Sequence, residues 1–481
     1  MTSDFERAAE EFLQQIGREH YQNGAGLKEN LDIIPIFDRY GWIFERSTVE
    51  EALKREDKEG RYIAAFVADG FLDADVKELS EKITNQMTQA KIEWQGEQVP
   101  YRRATLVLAN EPDPGKRHDL EDRILTVTDS QNTDRVERMQ HMHILAKDLG
   151  FTNYLVMFDQ LKGIRLDWLL GEMKQLLDTT EAIYESELQH YLGEIGVAPD
   201  EATPADLVYL FRAPQFDGLF PQEKLVPSLK ATFIGMGIDL DAQKNIHLDI
   251  ESRPTKSPRA FCAPVQVPDE VYLVISPRGG QDDYKAILHE SGHAEHLGSV
   301  SPDLPFAFKR LGDGSISESY AFLFDNLLKN RNWFIEILEQ RHVDDYLRLA
   351  RFHKLWIIRR YAAKLQYEQL LHTAEDIPSM RNKYAEILGK ALKLNVSPAN
   401  FLADIDDGLY SANYLRAWIF EVMLRKHMED SFGVLWFRTK KAGDMLVGMW
   451  KQGQEFSVDE LAHQINYEML DTQPLMQELA R

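Results

Sequence analysis

The chain has 481 residues, with 78 acidic against 55 basic side chains and a formal charge of −23. Hydrophobic residues make up 44% and charged residues 28%, a globular composition that excludes wholesale disorder and fibrous repeats. The acidic balance argues against non-specific binding to nucleic acid or anionic membrane, and the single cysteine, Cys262, excludes an intrachain disulfide or a cysteine-built metal site.

No window holds 18 consecutive apolar residues, and the N-terminus lacks the basic-then-apolar order of a secretory signal. A cytoplasmic protein with neither nucleic-acid nor membrane partner is expected, as a monomer or small homo-oligomer. Phe5, Ala9, Phe12, Leu13 and Ile16 recur at 3-4 spacing and predict an opening helix. Further helices are predicted at about 76–92, 137–150, 155–193 and 205–212, with a small hairpin and a turn over 92–110. Residues 246–276 alternate β-favouring runs with Pro and Gly, ending in a hairpin that leads into a helix. Long helical patterns follow at 346–371, marked by Leu349, Phe352, Trp356, Ile357, Ala363, Leu365 and Leu370, and at 412–431. The expected body is mainly α with a small sheet. A helical region over 1–240 would form part of a cleft wall and 241–481 the catalytic region, within one integrated fold.

The informative stretch runs from Tyr284 to Asn326. It contains His289-Glu290-Ser291-Gly292-His293, an H-E-x-x-H pattern. On a helix the two histidines lie one turn apart on one face, where both imidazoles can converge on a tetrahedral zinc. Glu290 sits beside the fourth position and is placed to act as general base toward water. Gly292 costs about 1 kcal/mol of helix propensity, so its missing side chain is read as permitting close packing. The third ligand must come from elsewhere. Glu318, at the start of a second helical run that Ser315 or Ser317 would cap, is the best candidate, and Asp313 in a Gly-Asp-Gly loop competes. Asp325, two turns beyond Glu318, is expected to accept the spare imidazole N–H of a ligand histidine. His296 is read as supporting the site or facing substrate, with direct ligation an alternative, and Glu295 as solvated or structural.

The segment 289–296, HESGHAEH, resembles the H-E-x-G-H-x-x-H signature of the M3 zinc metallopeptidases, the family of thimet oligopeptidase and the bacterial oligoendopeptidase F group. That resemblance implies a two-lobed, zincin-like fold with a small sheet lining a deep central cleft. It implies one zinc per chain on His289, His293 and Glu318, with Glu290 as catalytic base. Upstream, Asp249, Arg253, Lys256 and Ala260-Phe261 match the family's D-x-x-x-R-x-x-K-x-x-G-A-F/Y pattern, with Arg259 replacing its Gly. The run 271–276 resembles the edge strand that follows, which makes Tyr272 and Val274 substrate-binding candidates. Near the C-terminus, residues 408–422 are similar to the family's G-Y-x-A-x-Y-Y-x-Y-x-W-x-E-V segment. They put Tyr410 and Tyr414 on functional tyrosines that stabilise the oxyanion.

Two departures stand out. Ala417 occupies a third tyrosine position and Ile405 a histidine position. Arg416 is a candidate to compensate. The resemblance implies zinc-dependent cleavage of internal bonds in short unfolded peptides. One rival is a carboxypeptidase acting through the same zinc, closer to the M32 group, with Arg253, Arg278 or Arg416 holding the terminal carboxylate. The other is a peptide-binding homologue with weak or no activity.

Overall fold

Most of the 3-4 patterned sequence forms helix, and among the described residues five short strands make two separate sheets. The computed structural model describes residues 3–257 and 259–480. Six helices are named below: α1 (Ser3–Gly24), α2 (Lys58–Gln89), α3 (Gln281–Ser299), α4 (Gly314–Asp325), α5 (Asp344–Leu371) and α6 (Tyr410–Phe432). In α1 the predicted apolar stripe buries Phe5, Ala9 and Phe12. The predicted helix over 155–193 is three helices, Tyr154–Lys162, Leu166–Thr179 and Glu181–Glu194. Gly163 (φ 62°) and Arg165 (φ 59°) take left-handed backbone between the first two, which ends one helix and restarts the chain in a new direction. Residues 91–100 form the expected hairpin, β1 (Lys91–Trp94) with β2 (Glu97–Pro100), but helix Tyr101–Leu108 follows where a turn is predicted.

The chain divides into two compact units that interleave in sequence. Unit 1 comprises Met1–Ala68, Pro214–Ala350 and Arg416–Leu475; unit 2 comprises Asp69–Ala213, Arg351–Leu415 and Met476–Arg481. The regions 1–240 and 241–481 are thus each shared between the units, and α2, α5 and α6 carry residues of both. Unit 1 buries the indoles of Trp333, Trp436 and Trp450 and the ring of Tyr320 completely. Unit 2 has a core of Ala363, Tyr367, Leu371, Tyr384 and Leu388 from α5 and the helix Met380–Leu392, against which Ile405 packs. Among the described residues no helix is long and apolar enough to cross a membrane.

The sheet of unit 1 contains β3 (Ile246–Asp249), β4 (Phe261–Gln266) and β5 (Glu270–Val274) in the order β3-β5-β4. β4 and β5 form the expected antiparallel hairpin, while β3 pairs with β5 in parallel. This corrects the edge-strand expectation for 271–276. β5 is the central strand, its main chain is committed on both sides, and β3 and β4 are the edge strands. Pro264 within β4 fits that position, because a residue without an N–H is tolerated on an edge strand.

Beyond the strand ends, the Asp249, Arg253 and Lys256 pattern acts as a staple. Lys256 Nζ donates to Asp249 Oδ1 and to the carbonyls of Asp249, Glu251 and Ile275, each at 2.9 Å. Arg253 Nη1 donates to Asp249 Oδ2 at 2.9 Å and to the Ala25 carbonyl at 2.9 Å. Burial would raise the Asp249 carboxyl, but these two cations bring it below its ordinary range. The Lys256 ammonium, held by one buried acid, therefore ties together the ends of β3 and β5.

Candidate metal centre

Helix α3 begins after Gly279 and Gly280, both at positive φ, and Asp283 in its first turn accepts the Gly279 amide at 2.8 Å. One face of α3 buries Ile287, Leu288, Ser291, Gly292 and Ala294. A Cβ at Gly292 would lie 2.6 Å from the Cα of Ala321 on α4, so the glycine does permit the close approach of these two helices. The N-terminus of α4 is capped by Asp313, whose Oδ1 accepts the Ser315 amide at 3.0 Å, in place of the predicted Ser315 or Ser317. Asp313 is also paired with Arg416 (Nη2–Oδ2 2.8 Å). It is therefore engaged elsewhere and drops out as a rival ligand.

The crossing brings His289, His293 and Glu318 together. Their ligand atoms all lie within 4.8 Å of one another, and among the described residues this is the group able to hold a metal ion. Glu318 Oε2 is 3.5 Å from His289 Nε2 and 3.6 Å from His293 Nε2. Tetrahedral zinc with bonds of about 2.0–2.1 Å needs ligand separations of about 3.4 Å, so the donor set and its spacing fit that ion. The outer nitrogens are held as well. His289 Nδ1 is 3.2 Å from Asp325 Oδ2, the partner expected from the sequence, and His293 Nδ1 is 2.7 Å from Ser317 Oγ. When both outer nitrogens donate, both Nε2 lone pairs are left for a cation.

Electrostatics favour a positive charge in this pocket. Burial alone would lower His289, but its bonds to Asp325 and Glu318 carry it up to about 10. Burial lowers His293 to about 4, with Glu318 opposing. Burial also pushes the Glu290 carboxyl up to about 7, against the pull of His289 and of the Cys262 amide. That amide, on β4, donates to Glu290 Oε2 at 2.9 Å and fixes the carboxylate beside the two histidines.

The remaining expected site residues divide. His296 is fully buried, with Nε2 3.2 Å from the Gly453 carbonyl and its ring 5.0 Å from that of Tyr320. It packs in the core and lies outside the ligand cluster. Glu295 is likewise structural, buried and bonded by Gln243 at 2.9 Å. Arg416 is 1% exposed and committed to its pair with Asp313. Tyr272 stacks on Tyr21 (centroids 3.7 Å apart) and donates to Glu270 at 2.8 Å, while Val274 is buried. Arg253 and Arg278 line a cavity of ≈ 690 Å³ together with Gln222, Pro227, Ile250 and Pro277. Tyr410 and Tyr414 lie in unit 2, half-buried, with ring centroids 5.0 Å apart.

Sequence reasoning missed two supporting groups. The sequence offers Ser317 as a cap, but it precedes Glu318 and lies four residues before Ala321, which places it on the face of α4 turned to α3. The Cys262 amide has no side-chain signature and is legible only from strand order.

No protein-family model and no curated protein matches the chain. Its fold is similar to that of a candidate oligoendopeptidase F from Bacillus anthracis strain Ames. The TM-score is 0.62 with 14% sequence identity, over 100% of this chain and 85% of that one. At that identity the likeness is one of fold.

Proposed function

We propose that the chain is a zinc-dependent peptidase that cuts internal bonds of short, unfolded peptides. The observation that carries this reading is the triangle of His289, His293 and Glu318 at zinc spacing with Glu290 on the adjoining turn. Likeness of fold to a candidate oligoendopeptidase F supports it. Zinc held by these three ligands would polarise the scissile carbonyl and acidify a water. Glu290 takes the proton of the attacking water and passes it to the leaving amine. A carboxyl raised to about 7 suits both transfers near neutral pH. The Cys262 amide holds one oxygen of Glu290 and leaves the other for the water. Asp325 and Ser317 keep the imidazoles oriented. Tyr410 and Tyr414 are proposed, from their motif, to donate to the oxyanion, and Arg278 and Arg253 to line a substrate subsite. A deep cleft between two lobes belongs to the same reading, as does a single zinc per chain.

The test pairs zinc determination with a pool of peptides of 5–15 residues read by mass spectrometry, comparing wild type with Glu290→Gln. One zinc per chain and internal cuts lost in the variant are expected. Stepwise loss of single C-terminal residues would replace this reading with the carboxypeptidase, and a chain without zinc would end it.

A further inference from the structure

The loop from β5 into α3 walls the cavity of ≈ 690 Å³, which lies wholly within unit 1 and has the size of a small-ligand pocket. The loop backbone is pinned by four hydrogen bonds. Asp283 accepts the Arg278 and Gly279 amides, Gln222 Nε2 donates to the Pro277 carbonyl at 3.0 Å, and the Gly280 amide donates to the Phe220 carbonyl at 2.9 Å. A Cβ at Gly279 would come within 3.2 Å of the Gln222 amide nitrogen, so the loop lies close against 220–222. The backbone of Arg278 is thereby fixed, while its side chain is exposed.

Three cations line the cavity. Lys256 Nζ makes its hydrogen bonds inside the protein, and Arg253 is paired with Asp249 and Glu251. Two carboxylates thus balance these two cations. Arg278 differs: among the described residues its guanidinium has neither a hydrogen bond nor an ion pair. The start of α3 beside it is already taken by Asp283, which leaves the guanidinium as the group for an anion. Glu223, the one acidic lining residue, is exposed to solvent, where its charge is screened. Val226, Pro227, Ile250 and Pro277 supply apolar wall, and Ile250 stays 42% exposed, so an occupant would cover hydrocarbon now left in water. One unpaired guanidinium fork beside bare hydrocarbon suits a singly charged ligand with an apolar part. A carboxylate on a carbon chain has that character. A free phosphate dianion would find one charge for its two and leave the apolar wall wet.

We propose that this cavity receives the carboxylate of a bound peptide on Arg278, with the adjoining hydrocarbon against Ile250 and Pro227. The choice of a peptide rests on the peptidase reading above. Arg278 is then a specificity-determining residue that selects among peptides by charge and takes no part in bond cleavage. Its loop runs directly into the helix of His289 and His293, so one continuous segment carries both the anchor and the candidate metal centre.

The test measures binding by fluorescence anisotropy on full-length Glu290→Gln with zinc added, so that turnover does not intervene. The probes are N-terminally labelled hexapeptides of Ala, Leu and Gly: a free C-terminal acid, its amide, and the amide with one internal Glu. We expect a carboxylate-bearing peptide to bind at least about tenfold tighter than the plain amide, as a charge-assisted hydrogen bond supplies. Tighter binding of the acid identifies the chain terminus as the source, and tighter binding of the Glu-bearing amide identifies a side chain. Adding Arg278→Gln should level the affinities with zinc content and thermal midpoint unchanged. Adding Lys244→Gln instead, which removes an equal charge from an exposed site outside the cavity lining, should keep the preference. Equal affinities before Arg278 is changed, a preference that survives Arg278→Gln, or one lost equally in Lys244→Gln would overturn the inference. So would a loss that accompanies a lowered midpoint, since that marks a structural role. Cleavage by the wild type is assayed in parallel. A wild type that cuts nothing while the Arg278-dependent preference persists would refute the peptidase reading and leave the carboxylate site standing, whereas cutting without the preference would refute this inference alone.

Discussion

Replacing Gly292 by alanine probes whether the approach of two helices sets the metal geometry. The added Cβ would fall 2.6 Å from Ala321 Cα, 2.7 Å from Ala321 N and 2.7 Å from the Tyr320 carbonyl oxygen. All three are backbone atoms, so no side-chain rotation relieves the clash. Restoring the 3.4 Å at which ordinary contact begins requires α3 and α4 to part by 0.8 Å, the difference between 3.4 and 2.6 Å. Ala321 is one turn from Glu318, and Gly292 is next to His293. The displacement therefore falls on the separations of 3.5 and 3.6 Å that define the ligand triangle. Metal–ligand distances tolerate about 0.2 Å. Alanine gains roughly 1 kcal/mol of helix propensity over glycine, but overpacking costs roughly 1–3 kcal/mol, so the net effect on stability is a small loss. Zinc affinity should change more, falling at least about tenfold, as it does when groups that orient ligands are disturbed. Competition with a chromophoric chelator gives the affinity, and thermal melts with and without zinc give the stability. An alanine variant with wild-type zinc affinity would refute the claim that this crossing positions the ligands.

Asp325→Asn keeps an acceptor for His289 but removes the charge that faces both His289 Nδ1 at 3.2 Å and Lys329 at 3.5 Å; zinc affinity should drop about 10- to 100-fold by the same chelator competition. Glu368→Gln reports on pH. Burial raises the Glu368 carboxyl to about 8, with Lys364 and the Ser411 hydroxyl pulling the other way. Because the folded value lies above the unfolded one near 4.5, its contribution is fully present below about 4.5 and is lost as pH rises toward 8. Glutamine does not titrate, so the variant should match wild type at pH 5 and exceed it by a few kcal/mol near pH 8.5. Equal thermal midpoints at both pH values would contradict this.

What was legible in the sequence is what fixed helical spacing encodes. His289 and His293 must share a face of α3, and Glu318 and Asp325 must share a face of α4, wherever those helices go. The opening stripe of Phe5, Ala9 and Phe12 was legible for the same reason. Strand order was not, because β3 reaches β5 only after β4 has been inserted between them in the chain, and alternation within 271–274 is the same for an edge strand as for a central one. The role of Arg416 was hidden likewise. A lone arginine between Leu415 and Ala417 looks available for substrate, and only the fold shows Asp313, 103 positions earlier, inside its guanidinium fork. The break at 163–165 was masked by apolar periodicity that continues on both sides of a left-handed turn.

The Asp313–Arg416 pair also bears on how the protein is made. All three residues of the candidate metal centre lie between 289 and 318, so a growing chain acquires them long before it is complete. The acid that starts the Glu318 helix accepts the Ser315 amide locally, but its counter-charge, the Arg416 guanidinium at 2.8 Å, and the Val458 amide at 3.3 Å come from later residues. Until those emerge, a buried carboxylate at the mouth of α4 has neither its counter-charge nor its last hydrogen bond. Metal loading is thus expected to be a late event in biogenesis, and shortened chains ending before 458 should bind zinc poorly although every ligand is present.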